Sequence, residues 1–168
     1  MKPIIIILAI VFALASCSKK DNQIQQPPIQ QWDSKYKVEG TLTDFTEPVI
    51  TYAGPQEFHL TKNGNKVEVI CKELGISGHL ISHGGSLSYY GKFGLILTID
   101  PSSNKIISIE NSYGQPSSNG RSAVLDPSGV NSFNPATKTI KIKYWMDQTG
   151  ISGHKTAFDE TWTYLGPK

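Results

Sequence analysis

The feature that most constrains the fold of this chain is an alternation of apolar and polar side chains with a period of two residues. It begins at Tyr36 and recurs in later segments around Val69, Leu97, Ile142 and Trp162. Because successive side chains of a β-strand point to opposite faces, this period predicts strands that bury one face. No window of ten or more residues has helical periodicity. The chain is therefore predicted to be all-β.

Short turn motifs separate the alternating segments. Asn63-Gly64 is a hairpin signal, and Asp100 and Asn134 each stand directly before a proline, a pairing that opens tight turns. Turns of this kind join strands that follow one another in sequence. We therefore predict an antiparallel meander of about eight strands that closes into a calycin-like, or lipocalin-like, up-and-down barrel. A two-sheet β-sandwich is the alternative.

The first residues indicate an export signal. Lys2 precedes an apolar run from Ile4 to Leu14, which is too short to span a bilayer as a helix. The run ends in Ala15-Ser16-Cys17, so that Leu14 to Cys17 matches a bacterial lipobox, after which the leader is cut and the cysteine is lipidated. Residues 1–16 are predicted to be a lipoprotein signal peptide and Cys17 the lipidation site. An ordinary secretory signal followed by an unmodified cysteine is the alternative.

The segment after the leader differs in composition from the rest of the chain. Residues 17–34 are polar, rich in Gln and Pro, and without periodicity, which predicts a lipidated cysteine followed by a disordered tether. Residues 35–168 are then a single all-β domain, of a size that supports one core. The expected location is the outer membrane of the cell envelope, and either leaflet fits the sequence.

Charge and cysteine content narrow the possible partners. The chain has 16 Lys and Arg against 14 Asp and Glu, and its basic residues are scattered, so nucleic acid is not an expected partner. Cys71 lies in an alternating segment beside Val69, which predicts a small buried side chain. With Cys17 lipidated, Cys71 has no partner for an intramolecular disulfide.

Several aromatic residues are candidates for ligand binding. Trp145 lies between lysines on an otherwise polar strand face, and Tyr89, Tyr90 and Tyr113 have glycine close by in sequence. Aromatic rings in such places stack on sugar rings, because their faces are apolar and their tips form hydrogen bonds. The alternative is that these rings cover strand edges or pack between loops.

Glu160 has two possible roles, one structural and one catalytic. Its alternation places it on the same face as Phe158 and Trp162, where a buried carboxylate would need a cation. Arg121 is the single arginine of the chain, so we predict a buried ion pair between the two. The catalytic alternative is a glycan hydrolase that uses Glu160 as its acid. No catalytic constellation is recognised, and the protein is not expected to be an enzyme.

The histidines do not form a ligand pattern. His79 and His83 are four residues apart and are surrounded by glycines, which predicts solvated loop side chains rather than metal ligands. The pentapeptide that ends at His79 recurs at residues 150–154 and is interpreted as two similar glycine loops. Neither a metal nor a cofactor is predicted.

The end of the chain resembles that of small Bacteroidota-type surface or outer-membrane lipoproteins of a family of unknown function. The resemblance rests on the Asn-Pro-x-Thr-Lys-Thr strand pair at residues 133–144, on Glu-Thr-x-Thr at residues 160–163, and on the first strand at residues 36–41. It implies a calycin-like β domain with a role near outer-membrane glycan-uptake machinery.

Together these features predict a lipid-anchored binding or accessory module of the cell envelope, with a carbohydrate as its ligand or an envelope protein complex as its partner. The alternative is a calycin-like carrier that holds a small apolar ligand inside the barrel. A hydrolase that acts through Glu160 is the third hypothesis.

Overall fold

A computed structural model describes residues 30–168, which form twelve β-strands and no helix that could span a membrane. The strands are β1 (Ser34–Asp44), β2 (Ile50–Tyr52), β3 (Gln56–Asn63), β4 (Lys66–Cys71), β5 (Leu80–His83), β6 (Ser86–Tyr89), β7 (Leu95–Asp100), β8 (Lys105–Asn111), β9 (Arg121–Leu125), β10 (Ser132–Asn134), β11 (Thr139–Gln148) and β12 (Thr156–Pro167). The prediction of an all-β domain is confirmed.

Eight of these strands form a closed antiparallel ring. Their order is β8, β7, β4, β3, β1, β12, β11 and β10, and β10 pairs back onto β8 through Ser132 and Lys105. When the ring strands alone are counted, neighbours in the ring are consecutive along the chain. The last strand, β12, pairs with the first, β1, from Ser34 to Asp44. The fold is therefore the predicted lipocalin-like up-and-down barrel, and the alternative of two separate sheets is wrong.

The other four strands are additions to the ring. β10 and β9 pair with the same edge of β11. β10 covers the first half of β11, and β9 covers the second half. β2, β5 and β6 form a separate antiparallel sheet, which we call the cap sheet. Ile50 and Ile81 of the cap sheet, and Tyr90 directly after it, are buried in the same core as the ring strands. The cap sheet thus covers the end of the barrel at which β1 ends and β12 begins.

The predicted turns are confirmed. Gly64 has a φ of +62° in the β3–β4 hairpin, a conformation that glycine adopts without strain. Asp100 accepts a hydrogen bond of 2.9 Å from the amide of Ser102, and Asn134 accepts one of 2.9 Å from the amide of Ala136. These Asx turns reverse the chain between β7 and β8 and between β10 and β11.

Aromatic rings fill the interior at the capped end. Phe158 stacks on Tyr144 with ring centroids 4.6 Å apart, and Phe93 lies on its other side at 5.9 Å. Farther inside, Trp162 packs edge-on against Phe58 at 5.3 Å. All five side chains are at most 2% exposed, so the alternation seen in the sequence corresponds to an inner face filled by side chains.

The N-terminal boundary of the domain lies earlier than predicted. Trp32, assigned to the tether, is 4% exposed and packs against Phe133 with ring centroids 6.3 Å apart. The hydroxyl of Tyr36 donates a 2.7 Å hydrogen bond to the carbonyl of Gln31, and β1 begins at Ser34. The prediction that the tether extends to residue 34 is therefore wrong, because Trp32 buries its ring. The predicted leader, Cys17 and the tether up to residue 29 lie outside the described residues.

Truncation of a central ring should show how much of the stability depends on this packing. We expect Phe158→Ala to lower the free energy of unfolding by about 3–5 kcal/mol, because it removes both stacked contacts and leaves a cavity. Ile107→Ala is the control, since that side chain is 57% exposed on β8 and should cost little. Urea denaturation measures both. Equal losses for the two variants would contradict the packing described here.

Candidate functional site

A buried polar cluster lies where the barrel meets the cap sheet. Asp44, the last residue of β1, accepts hydrogen bonds from the hydroxyls of Tyr90 at 2.7 Å and Thr156 at 2.9 Å. The ammonium group of Lys155 lies 3.1 Å from the same carboxylate and 2.6 Å from the hydroxyl of Thr46. Asp44 and Lys155 are both less than 5% exposed, so this ion pair is buried and hydrogen-bonded.

The hydrogen bonds outweigh burial in setting the charge of Asp44. Burial alone would raise the pKa of Asp44, but hydrogen bonds from Tyr90 and from the backbone amides of Glu47 and Thr46 lower the pKa well below its usual value. The pKa of Tyr90 is raised, first by burial and also by its hydrogen bond to Asp44. The carboxylate is therefore ionised and the phenol is neutral at ordinary pH.

A small open cavity adjoins this cluster at the edge of the cap sheet, and we call it the mouth cleft. Its volume is about 170 Å³. Aromatic, charged, hydroxyl and apolar side chains share its lining, among them Glu47, Ile81, Ser88, Tyr89, Tyr90 and Arg121. Three residues named from the sequence, Tyr89, Tyr90 and Arg121, thus meet at one place. The sequence assigned them to two separate roles.

Arg121 lies at the mouth cleft and not in the barrel interior. One guanidinium nitrogen, Nη1, donates a 2.6 Å hydrogen bond to the carbonyl of Gly91, and the guanidinium carbon lies 5.1 Å from the ring centre of Tyr90. Burial lowers the pKa of Arg121 from its ordinary value. The predicted ion pair with Glu160 is wrong, because Arg121 begins β9 at the mouth cleft and no ion pair joins it to Glu160, which instead lies 3.4 Å from His79.

Glu160 is held by its neighbours inside the barrel. It is 1% exposed, and its carboxylate accepts a 2.9 Å hydrogen bond from the indole of Trp162. His79 lies 3.4 Å from the other carboxylate oxygen and forms a shorter hydrogen bond of 2.6 Å with the hydroxyl of Tyr144. Gly40 on β1 lies opposite Glu160, and a Cβ there would lie 2.3 Å from the carbonyl oxygen of Asp159 and 3.0 Å from Cγ of Glu160. The prediction that Glu160 is buried is confirmed, but its neighbours are Trp162 and His79 and not Arg121.

Burial keeps the phenols around Glu160 protonated. The pKa values of Tyr52 and Tyr144 are raised, first by burial and then by the negative charge of Glu160. Glu160 Oε1, His79 Nδ1 and the Tyr52 hydroxyl are buried and have no hydrogen-bond partner among the described residues. The centre of the barrel is therefore polar, yet it is enclosed by side chains and separate from the mouth cleft.

The aromatic candidates have different surroundings. Tyr89 is 54% exposed at the edge of the mouth cleft, as expected of a ligand-binding ring. The prediction of an exposed ring is wrong for Tyr90. Its side chain is 4% exposed because its hydroxyl donates a hydrogen bond to the buried carboxylate of Asp44. Tyr113 is half-buried, donates a 2.8 Å hydrogen bond to the carbonyl of Ser77 and lies under the ammonium of Lys92. Tyr113 therefore joins loops and does not line the cleft.

Trp145 lies on the outer wall of the barrel, away from the cleft lining. Its ring stacks on His154 with centroids 3.9 Å apart, and the imidazole is held by a 2.6 Å hydrogen bond to Asp147. The histidine covers one face of the ring, so at most one face is free for a sugar.

The two predicted loop histidines differ in environment. His83 is more than half exposed, 3.9 Å from Glu47. The prediction is wrong for His79, which is buried against Phe58 and Phe158. His79 and His154 end the repeated pentapeptide, yet one is interior and the other lies on the outer wall. Among residues 30–168, no three His, Cys, Asp or Glu side chains converge as a metal site.

Cys71 is buried as predicted, with a free thiol. Burial raises its pKa to about 11, so the thiolate, which is the nucleophilic form, is scarce at neutral pH.

A larger cavity lies at the other end of the barrel. It has a volume of about 620 Å³ and is lined by residues of the N-terminal turn and the β3–β4 hairpin, including Trp32, Asp33 and Lys62. Asp33 is paired with Lys168 at 2.7 Å. We favour the smaller mouth cleft as the candidate site because it combines an exposed ring with a cation that forms no ion pair within residues 30–168.

Asp44, Lys155 and Ser88 were not predicted from the sequence as site residues. For Asp44 a signal existed, because the alternation from Tyr36 to Leu42 continues by one step to Asp44 on the inner face. Ser88 lies on a cap-sheet strand whose four residues are all exposed, so no burial pattern marks it.

The ring, the cap sheet and the mouth cleft define a lipocalin-like up-and-down β-barrel with a polar cleft at its capped end. No protein-family model, curated protein or solved structure matches this chain.

The buried carboxylate should give the domain a measurable acid sensitivity. Because the folded pKa of Asp44 lies below its unfolded value of about 3.9, its contribution is complete above about pH 4 and is lost as the pH falls further. We expect Asp44→Asn to cost about 3 kcal/mol at pH 7, since Lys155 loses its closest charge partner. Stability of the variant should also fall less between pH 4 and pH 2.

Asp159→Asn is the matched control, because it breaks a 2.9 Å ion pair with Lys143 in which both side chains are more than 40% exposed. Exposed pairs contribute about 0–1 kcal/mol. Urea denaturation at several pH values compares the three proteins. The assignment fails if Asp44→Asn and Asp159→Asn cost the same at pH 7.

Proposed function

We propose that this protein is a lipid-anchored binding module of the bacterial cell envelope, and that its mouth cleft takes a carbohydrate in the context of glycan uptake. The observation that carries the proposal is the cleft itself, where the exposed ring of Tyr89, the hydroxyl residue Ser88 and the guanidinium residue Arg121 line one cavity. Aromatic rings stack on the apolar faces of sugars, while hydroxyl and charged groups bond to their polar edges.

The position of the cleft on the barrel suits an anchored receptor. Trp32 and Gln31 pack at the end where β1 begins, and Asp44, beside the cleft, ends the same strand. An eleven-residue strand separates the two ends by about 30 Å. If acyl chains on Cys17 hold the chain in the outer membrane, the cleft lies at the end of the domain farthest from the N-terminal attachment.

The other two hypotheses fit the geometry less well. A carrier of a small apolar ligand needs space inside the barrel, where the stacked rings of Phe158, Tyr144 and Phe93 lie. A hydrolase that acts through Glu160 needs substrate to reach a carboxylate that is 1% exposed. We therefore propose binding at the mouth cleft as the principal activity.

Removal of the exposed ring should weaken carbohydrate binding. A glycan array finds oligosaccharides that bind, and calorimetric titration then measures them on wild type and Tyr89→Ala. We expect a loss of about fivefold to tenfold in affinity, because a stacked ring contributes about 1 kcal/mol or more. Val130→Ala, also an exposed apolar side chain but in the β9–β10 loop and outside the cleft lining, should bind normally. Unchanged binding by Tyr89→Ala would exclude this cleft.

The anchor is tested separately from the cleft. We expect Cys17→Ala, expressed in a bacterial host as the full chain, to move the protein from the membrane fraction to the soluble fraction, because no thioether to diacylglycerol can form. Cys71→Ala is the matched control and should remain with membranes, since Cys71 is a buried core residue. Continued membrane association of Cys17→Ala would contradict the proposed anchor.

A further inference from the structure

Arg121 is held in place by the backbone around it. Its amide donates a 3.2 Å hydrogen bond to the hydroxyl of Ser117. Its carbonyl accepts hydrogen bonds from the amide of Ser117 at 2.8 Å and from the side chain of Asn111 at 3.0 Å. The side chain then reaches Gly91 through Nη1 and lies against the ring of Tyr90. The guanidinium therefore has a defined position at the mouth cleft.

Lys155 is within ion-pair distance of both carboxylates beside the cleft, whereas Arg121 is within that distance of neither. Lys155 lies 3.1 Å from Asp44 and 3.3 Å from Glu47, and His83 also faces Glu47. No carboxylate among residues 30–168 forms an ion pair with Arg121. Its Nε is buried and has no hydrogen-bond partner among the same residues.

A half-buried guanidinium without an anion is costly to the fold. Burial removes water from the cation, and the negative charges of Asp44 and Glu47, which form no ion pair with it, return only part of the lost interaction energy. Charged groups left in such a state within a cleft are frequent at binding sites. A carboxylate bound in the cleft would supply a negative charge beside the guanidinium, and the planar guanidinium fits the two oxygens of a carboxylate better than any other side chain does.

The remaining lining indicates what carries the carboxylate. Ile81 provides an apolar wall, Tyr89 an exposed ring at the edge, and Ser88 a hydroxyl group. The volume of about 170 Å³ is below the range of about 300–1,000 Å³ that is usual for drug-sized ligands. A single sugar unit is therefore a better match than a long segment of a glycan chain.

We propose that the mouth cleft binds the carboxylate of an acidic sugar, of the uronic acid class, with Arg121 as the residue that determines specificity. This inference rests on the proposed function, since it names the class of carbohydrate that the same cleft takes. Arg121 contacts the carboxylate, and Tyr89 lies against the sugar ring.

The test compares two oligosaccharides that differ in one group. One ends in glucuronic acid or galacturonic acid, and its counterpart is the same molecule with the carboxyl group reduced to the alcohol. Calorimetric titration of the folded domain should show at least about tenfold tighter binding of the acid, as expected when a charge-assisted hydrogen bond is lost in the counterpart. Acetate and sulfate are tested alone, and each should bind far more weakly than the acidic sugar.

Three variants separate charge from geometry. Arg121→Gln should lose about tenfold or more in affinity for the acid and remain unchanged for the reduced sugar. Arg121→Lys keeps the charge without the planar fork and should recover only part of the preference. Lys105→Gln removes an exposed cation at the opposite end of the barrel and should bind like wild type. Thermal melting confirms folding, and Arg121→Lys serves if Arg121→Gln does not fold.

The outcomes distinguish this inference from the proposed function. Equal binding of the acidic and reduced sugars, both weakened by Tyr89→Ala, would overturn the role of Arg121 and leave a carbohydrate site in place. Equal binding of acetate, sulfate and the acidic sugar would overturn the inference in favour of a general anion site. Failure of every sugar to bind would overturn both proposals.

Discussion

The pairing of the first ring strand with the last is the constraint on which the rest of this structure depends. β1 and β12 run together from Ser34 opposite Pro167 to Asp44 opposite Thr156, and this contact closes a meander that would otherwise have two open edges. Closure forces the inward residues of all eight strands to share one interior. It also brings Asp44 from the start of the domain to Lys155 from its end, and so builds the buried ion pair beside the mouth cleft.

Closure also separates the polar groups into two environments. In the middle of the barrel, one carboxylate oxygen of Glu160 accepts a hydrogen bond from Trp162, and His79 lies 3.4 Å from the other. At the capped end, Arg121 and Tyr89 stand where the cap sheet leaves a gap that opens to solvent. The enclosed carboxylate is out of reach of a ligand, whereas the guanidinium, which forms no ion pair among residues 30–168, stands at an opening. The second environment is therefore the one in which we propose that a ligand binds.

Local patterns in the sequence predicted much of the fold and little of the site. Alternation reports which face of a strand is buried, and Asx-Pro turns report that neighbours in sequence are neighbours in space, so the meander followed from these signals. Glycines around Tyr90 and His79 indicated loops, but both side chains turn inward because the cap sheet folds over the barrel end. The position of Arg121 depends on β9 pairing with the second half of β11, a long-range contact that no local pattern encodes.

The most direct test of a carbohydrate site at the mouth cleft is to map the contact on the protein itself. Backbone amide shifts of the isotope-labelled domain, recorded by NMR during titration with an acidic oligosaccharide, report which residues sense the ligand. The account predicts that the largest changes fall on residues 88–91 and on Arg121. Changes that cluster instead around Trp145 on the outer wall, or around Trp32 at the opposite end, would contradict it.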